Sequence, residues 1–122
     1  MSNRADGDSF ERQFAEILSK RGFWVKLLKQ NANGQPADLL AVKDGHAMLI
    51  DCKRCEHGYF DTKRIEPNQN EAMQLWLECG NGEGYFALGF PDGVIAVAKR
   101  SYFEGKKRVT EDEIVRDTVG WL

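Results

Sequence analysis

Two short apolar runs, Asp38–Val42 and Ala47–Lys53, are separated by Lys43–His46, with Asp44-Gly45 at the centre of that connection. An Asp-Gly pair between two apolar runs is a strong hairpin signal, because a two-residue turn of this hand needs positive φ at both central residues. The hairpin demands a sheet to join, and it fixes which side chains share a face. Counting out from the turn pairs Val42 with Ala47 and brings Asp38 opposite Asp51, to within a residue or two. Asp51 and Lys53 stand two apart and share a face at a spacing of ~6.5 Å, while Cys52 points the other way.

The flanking sequence supplies the remaining layers. Phe10, Phe14, Ile17 and Leu18 fall on one helical face, so Asp8–Arg21 reads as a helix with Asp8 as cap, Glu11 at capping-box spacing and Gly22 as stop. Phe23–Leu28 reads as a first strand, followed by a turn-rich loop, Lys29–Ala37. Pro67 opens a second helix running to about Cys79, with Ala72, Met73, Trp76 and Leu77 inward. Tyr85–Phe90 and Val94–Ala98 form a second hairpin around Pro91-Asp92-Gly93, and Ser101–Phe103 continues as an irregular edge. Thr110–Arg116 reads as a short helix capped by Thr110 with Glu113 at the capping-box position. The order α-β-β-β-α-β-β predicts an α/β fold, a central mixed β-sheet flanked by helices, as a single domain over 1–122. Residues 1–7 are expected to be a loose tail and 54–66 a long loop beside the acids.

Composition narrows the function classes. A chain of 122 residues, 42% hydrophobic, makes one compact domain with a real core. Its longest apolar run, Val94–Ala98, is far short of the ~20 residues of a membrane span. The polar start, Met1–Asp8, has no apolar segment of the secretory kind, and three cysteines suit a reduced, cytoplasmic protein. The net charge is −2, but the last twelve residues hold four acids and one arginine, so the body is near neutral and neither demands nor forbids nucleic acid.

The hairpin's open end carries the chemistry. Two carboxylates held close raise one pKa unless a cation sits between them. Lys53 offsets one charge; a divalent ion with oxygen ligands offsets both, and Mg²⁺ or Mn²⁺ suits carboxylate, carbonyl and water ligation. The backbone carbonyl of Cys52 is a candidate further ligand. A lysine beside such an ion can orient water and neutralise charge developing on a phosphodiester.

Pro36-Ala37-Asp38 followed by Asp51-Cys52-Lys53 resembles the PD-(D/E)xK nuclease motif. With Glu11 on the first helix, the Gly22-Phe23 entry into a strand and Gln69 on the second helix, the chain resembles the Holliday junction resolvases, archaeal and RecU types, over roughly Ser9–Lys99. The resemblance implies a Mg²⁺-dependent DNA endonuclease acting as a homodimer on four-way junctions. It implies Asp38 and Asp51 as main metal ligands, Glu11 approaching the metal, Lys53 as catalytic lysine, and Gln69 reaching back to the site. The sequence departs from the pattern by an extra residue between Pro36 and Asp38, by Asp51 where many members have Glu, and by the lack of a long stalk insertion.

Plainer readings stand beside these. Glu11 serves equally as a capping-box residue, and Gln69 could answer a backbone partner rather than the site. Asp51 and Lys53 as an exposed ion pair would contribute only ~0–1 kcal/mol, little reason to place them after Met48-Leu49-Ile50. Cys52 and Cys55 form C-x-x-C, but Cys79, His46 and His57 are not at ligand spacing for zinc. Arg54, Tyr59, Lys63 and Arg64 mix basic and aromatic character beside Lys53 and suit DNA contact; the alternative is a dimer arm anchored by Phe60. Phe60, Tyr102, Phe103 and Trp121 together suggest a homodimer patch, with the second helix or the Val94–Phe103 edge as contact. Two other functions remain open: a nuclease of different specificity, in restriction or repair of branched DNA, and a catalytically silent DNA-binding module.

Overall fold

The computed structural model describes the backbone of residues 3–28 and 37–118, and the side chains of the first helix from Ser9 onward. Pro36, most of the loop after the first strand and Trp121 lie outside the described residues. Helix α1 spans Asn3–Lys20. Strands β1 (Trp24–Leu27), β2 (Leu39–Lys43) and β3 (His46–Arg54) follow. Then come β4 (Tyr59–Asp61), α2 (Pro67–Glu78), β5 (Tyr85–Gly89) and β6 (Ile95–Lys99). The described chain ends with β7 (Arg108–Thr110) and α3 (Glu111–Asp117).

Five strands form one sheet in the order β1-β2-β3-β5-β6. Only the β3–β5 pair is parallel, so the sheet is mixed as expected. The β2–β3 register is the one read from the turn: Val42 pairs with Ala47 and Leu39 with Ile50. Asp44 and Gly45 take φ of 52° and 79°, the positive values a tight hairpin turn requires.

Alternation along the strands splits the core into two layers. Leu39, Ala41, Ile50, Ala87 and Val97 face α1, where Phe10, Phe14 and Leu18 close over them. Leu49, Phe86, Leu88, Ala96 and Ala98 face the other way, toward Met73 of α2, Phe60 of β4, Val109 of β7 and Ile114 of α3. Gly89 lets α1 lie close: a Cβ there would stand 2.7 Å from the buried Phe10 ring.

The structure corrects several expectations. The first helix starts at Asn3, so residues 3–7 are not a loose tail and Asp8 lies inside the helix rather than capping it. Apolar periodicity begins only at Phe10, whereas helical backbone needs no apolar face in its first turns. The segment 54–66 is not simply a loop: β4 pairs with β7 as a second, two-stranded ribbon, Phe60 opposite Val109. Each of these strands is three residues long and buries one side chain, too short for alternation to register. Phe60 is fully buried, edge-on to Phe103 at 5.5 Å, and Phe103 is buried too, so neither is available to a partner chain. Tyr102 is spoken for by a 2.7 Å hydrogen bond to Asp117. Leu77 faces solvent rather than the core, as does Leu75. Residues 100–103 form a 3₁₀ turn in place of an irregular edge.

Gly89→Ala is expected to lower stability by about 1–3 kcal/mol through overpacking against Phe10. Thermal or urea melts of the variant, beside Gly89→Ala with Phe10→Leu to make room, measure it.

Candidate active site

Asp38, Asp51, Lys53 and Gln69 come together where β2 ends and β3 continues alone. Asp38 precedes β2; its N–H donates to the Ile50 carbonyl at 3.0 Å, one residue out of the β2–β3 register, so that Asp38 and Leu39 both stand against Ile50. Its carboxylate Oδ2 accepts the Cys52 N–H at 2.7 Å. N–H and C=O of one residue leave an extended strand on the same edge, so the Cys52 carbonyl is directed along the edge that Asp38 occupies. Asp51 and Lys53 share the face of Leu49, beneath α2.

Both members of this pair are shielded from water. Lys53 Nζ stands 3.2 Å from Asp51 Oδ2, with side-chain exposures of 12% and 4%. Asp51 Oδ2 is buried and, among the described residues, has no hydrogen bond of good geometry despite that ion partner. Lys53 Nζ also donates to Gln69 Oε1 at 3.1 Å. The same oxygen accepts the Glu66 N–H at 3.0 Å, closing the first turn of α2. Gln69 therefore does both things the sequence left open: it caps its helix and holds the lysine.

Burial pushes the Asp51 carboxyl up from 3.8 to about 8; the Asp38 charge adds to the rise and Lys53 opposes it. The Cys52 thiol is pushed well above its ordinary range, first by burial, then by the charges of Asp38, Asp51 and Glu11. Glu11 is thus an electrostatic neighbour of the cluster, reaching it from the α1 side. Among the described residues no group of three His, Cys, Asp or Glu side chains is already gathered as a metal cluster. The donors present are two carboxylates and a strand carbonyl. That all-oxygen set, with one carboxylate oxygen buried and lacking a hydrogen bond, fits a hard divalent cation that takes one or two carboxylates and keeps waters or substrate phosphate for the rest.

The expected DNA contacts lie along the chain leaving Lys53. Arg54, Lys63 and Arg64 are exposed, with the Arg64 guanidinium 5.5 Å from the Phe60 ring centroid. Tyr59 is half-buried beneath Arg108, at 3.8 Å, with His57 stacked on it at 5.3 Å. Arg108, which also pairs with Asp61 at 3.1 Å, was missed in the sequence because its partner strand lies 47 positions away. Cys52 and Cys55 pack in different layers of the core.

A mixed sheet with α1 on one face, and with Asp51 and Lys53 on the other face of β3 beside Asp38, is consistent with a PD-(D/E)xK-type resolvase. The family model for the archaeal Holliday junction resolvase, Hjc, matches residues 2–117. The chain therefore belongs to the archaeal Holliday junction resolvase family. A curated relative, the crossover junction endodeoxyribonuclease Hjc of Methanocaldococcus jannaschii, is 30% identical over 84 residues, 69% of this chain. The match spans 59% of that relative's length. The solved structure of Archaeoglobus fulgidus Hjc, a Holliday junction resolvase from an archaeal hyperthermophile, shares the fold with a TM-score of 0.68. It is 19% identical, with 87% of this chain and 88% of that chain covered.

The raised Asp51 pKa sets a pH dependence. The folded carboxyl keeps a proton that the unfolded chain releases near pH 4, so this contribution to stability is present at low pH and is lost as pH rises through about 8. In EDTA, the melting temperature is expected to fall between pH 6 and 9, and Asp51→Asn should flatten that fall. A profile that rises over this interval in EDTA would contradict the assignment.

Proposed function

We propose that this chain is a metal-dependent endodeoxyribonuclease that cleaves four-way DNA junctions. The observation that carries the reading is the buried Asp51–Lys53 pair beside Asp38, on one sheet face at the end of the hairpin. Family membership supports the substrate: the relatives named above are a crossover junction endodeoxyribonuclease and a Holliday junction resolvase.

Asp38, Asp51 and the Cys52 carbonyl would hold Mg²⁺, with Mn²⁺ as a substitute. Such an ion supplies positive charge that polarises the scissile phosphodiester and makes water a better nucleophile at neutral pH. Asp38, oriented by the Cys52 N–H, is held with its charge directed at the site. Lys53, placed between Asp51 and Gln69, donates to a phosphate oxygen as negative charge builds there. Gln69 is a positioning residue: it fixes the lysine and does not itself touch DNA. Glu11, whose charge is felt at Cys52, would approach the metal from the α1 side. Arg54, Tyr59, Lys63 and Arg64 contact the DNA backbone beside the site.

Symmetric resolution needs two sites, which a C₂ homodimer provides. The exposed side of α2 marked by Leu75, 61% exposed, is the contact we favour over the β6 edge. No helix among the described residues is long and apolar enough to cross a membrane, and their three cysteines are free, in keeping with a reduced, cytoplasmic setting.

Asp38→Asn and Asp51→Asn should abolish Mg²⁺-dependent cleavage of a four-way junction while retaining binding. Full activity in either variant would remove the metal-site reading. Lys53→Ala should lower kcat by about 10²–10³-fold with little change in affinity; a loss confined to affinity would make Lys53 a phosphate contact instead. Gel assays on junction, duplex and flap, with Kd measured in EDTA, separate junction resolution from other nuclease specificities and from a silent binding module. Sedimentation at micromolar concentration should show a dimer that Leu75→Glu dissociates.

A further inference from the structure

The largest exposed apolar side chain among the described residues is Trp24 of β1, at 61%. Its direction follows from the register. Val25 and Leu27 pair with Ala41 and Leu39, which face α1, so Trp24 and Lys26 project from the opposite face beside Val42 and Leu40. Leu40 pairs with Leu49, and Asp51 and Lys53 follow Leu49 by alternation on β3. Trp24 thus shares the sheet face of the catalytic acids and lysine, near the turn end of the hairpin, while the acids occupy its open end.

The spacing can be estimated from strand geometry. Trp24 lies level with Val42 and Ala47, two strands over from β3 and four residues back from Asp51. With about 3.3 Å per residue and about 4.8 Å between strands, the separation from Asp51 is about 16 Å. That is about five nucleotide steps of DNA at 3.4 Å each. Between Trp24 and the acids this face carries Lys26, exposed, and the half-buried Leu40 and Val42, with no acid on β1 or β2 short of Asp38. It is an apolar and cationic track that leads into the site, complementary to a polyanion with aromatic bases.

We propose that Trp24 is a substrate-binding residue that stacks on a base left unpaired or splayed at a DNA branch, with Lys26 on the adjacent phosphate. The inference rests on the nuclease reading above and adds to it a determinant of structure selectivity. Every base offers a π-face, so stacking is tolerant of sequence, but it requires an unstacked base, which linear duplex does not present.

The test measures binding in EDTA with Asp51→Asn as the background, which keeps it independent of cleavage. Trp24→Ala should raise Kd for a four-way junction about tenfold, within the ~1–3 kcal/mol assigned to one base stack, and leave Kd for linear duplex within twofold. Trp24→Phe should recover most of the loss. In Trp76→Phe/Trp121→Phe protein, the Trp24 fluorescence should be quenched by junction and not by duplex. Equal losses on junction and duplex, or unquenched fluorescence, would overturn the proposal. So would a loss of junction affinity that tracks a change from dimer to monomer in sedimentation, since Trp24 would then belong to an interface between copies. Absence of Mg²⁺-dependent cleavage by the protein with Asp51 intact, with the Trp24 binding effects still seen in the Asp51→Asn background, would sink the nuclease reading alone.

Discussion

Everything at this site depends on a register set some distance away. Asp44 and Gly45 allow only a two-residue turn, and that turn pairs Val42 with Ala47 and Leu39 with Ile50, after which the Asp38 N–H also reaches the Ile50 carbonyl and keeps Asp38 beside Asp51. Side chains alternate strictly, so a slip of one residue would turn Asp51 and Lys53 onto the α1 face and expose Leu39 or Ile50 in exchange. The apolar residues of the hairpin thus hold the acids in place by needing to be buried themselves. The bond from the Cys52 N–H to Asp38 extends this constraint past the last backbone pair.

The same arrangement explains why the acids are costly. Two carboxylates meet in a setting that excludes most water, and a single lysine opposes them. Packing of Phe86 and Leu88 beside Asp51 and Lys53 keeps the pair buried. A protein stabilised elsewhere by two apolar layers can tolerate such a locally unfavourable group, and functional sites are where such groups cluster.

Legibility in the sequence followed the range of the interactions. The hairpin, the face of α1, the Pro67 start of α2 and the Thr110–Glu113 cap are all decided by residues within a few positions of each other, and all were readable. The β4–β7 ribbon pairs Phe60 with Val109 across the length of α2 and both later strands, and nothing local announces it. The same distance hid the burial of Phe60 and Phe103, which looked like spare aromatics because their partners were each other. Within the site, the acid pair and Lys53 followed from strand periodicity. Trp24 was equally derivable from the alternation Trp24-Val25-Lys26-Leu27, but only once β1 was known to be an edge strand beside the hairpin.

Gln69 gives the structure a mechanical property beyond its two hydrogen bonds. One oxygen receives both the first turn of α2 and the ammonium of Lys53, so helix and lysine are yoked at a single atom. A rotation or tilt of α2 would have to carry the lysine with it or break one of the two bonds. Leu75 and Leu77 lie about two turns further along the same helix. A load applied to α2 there acts on one end of a rigid rod whose other end holds the lysine, so a tilt of the helix is felt at the Lys53 ammonium.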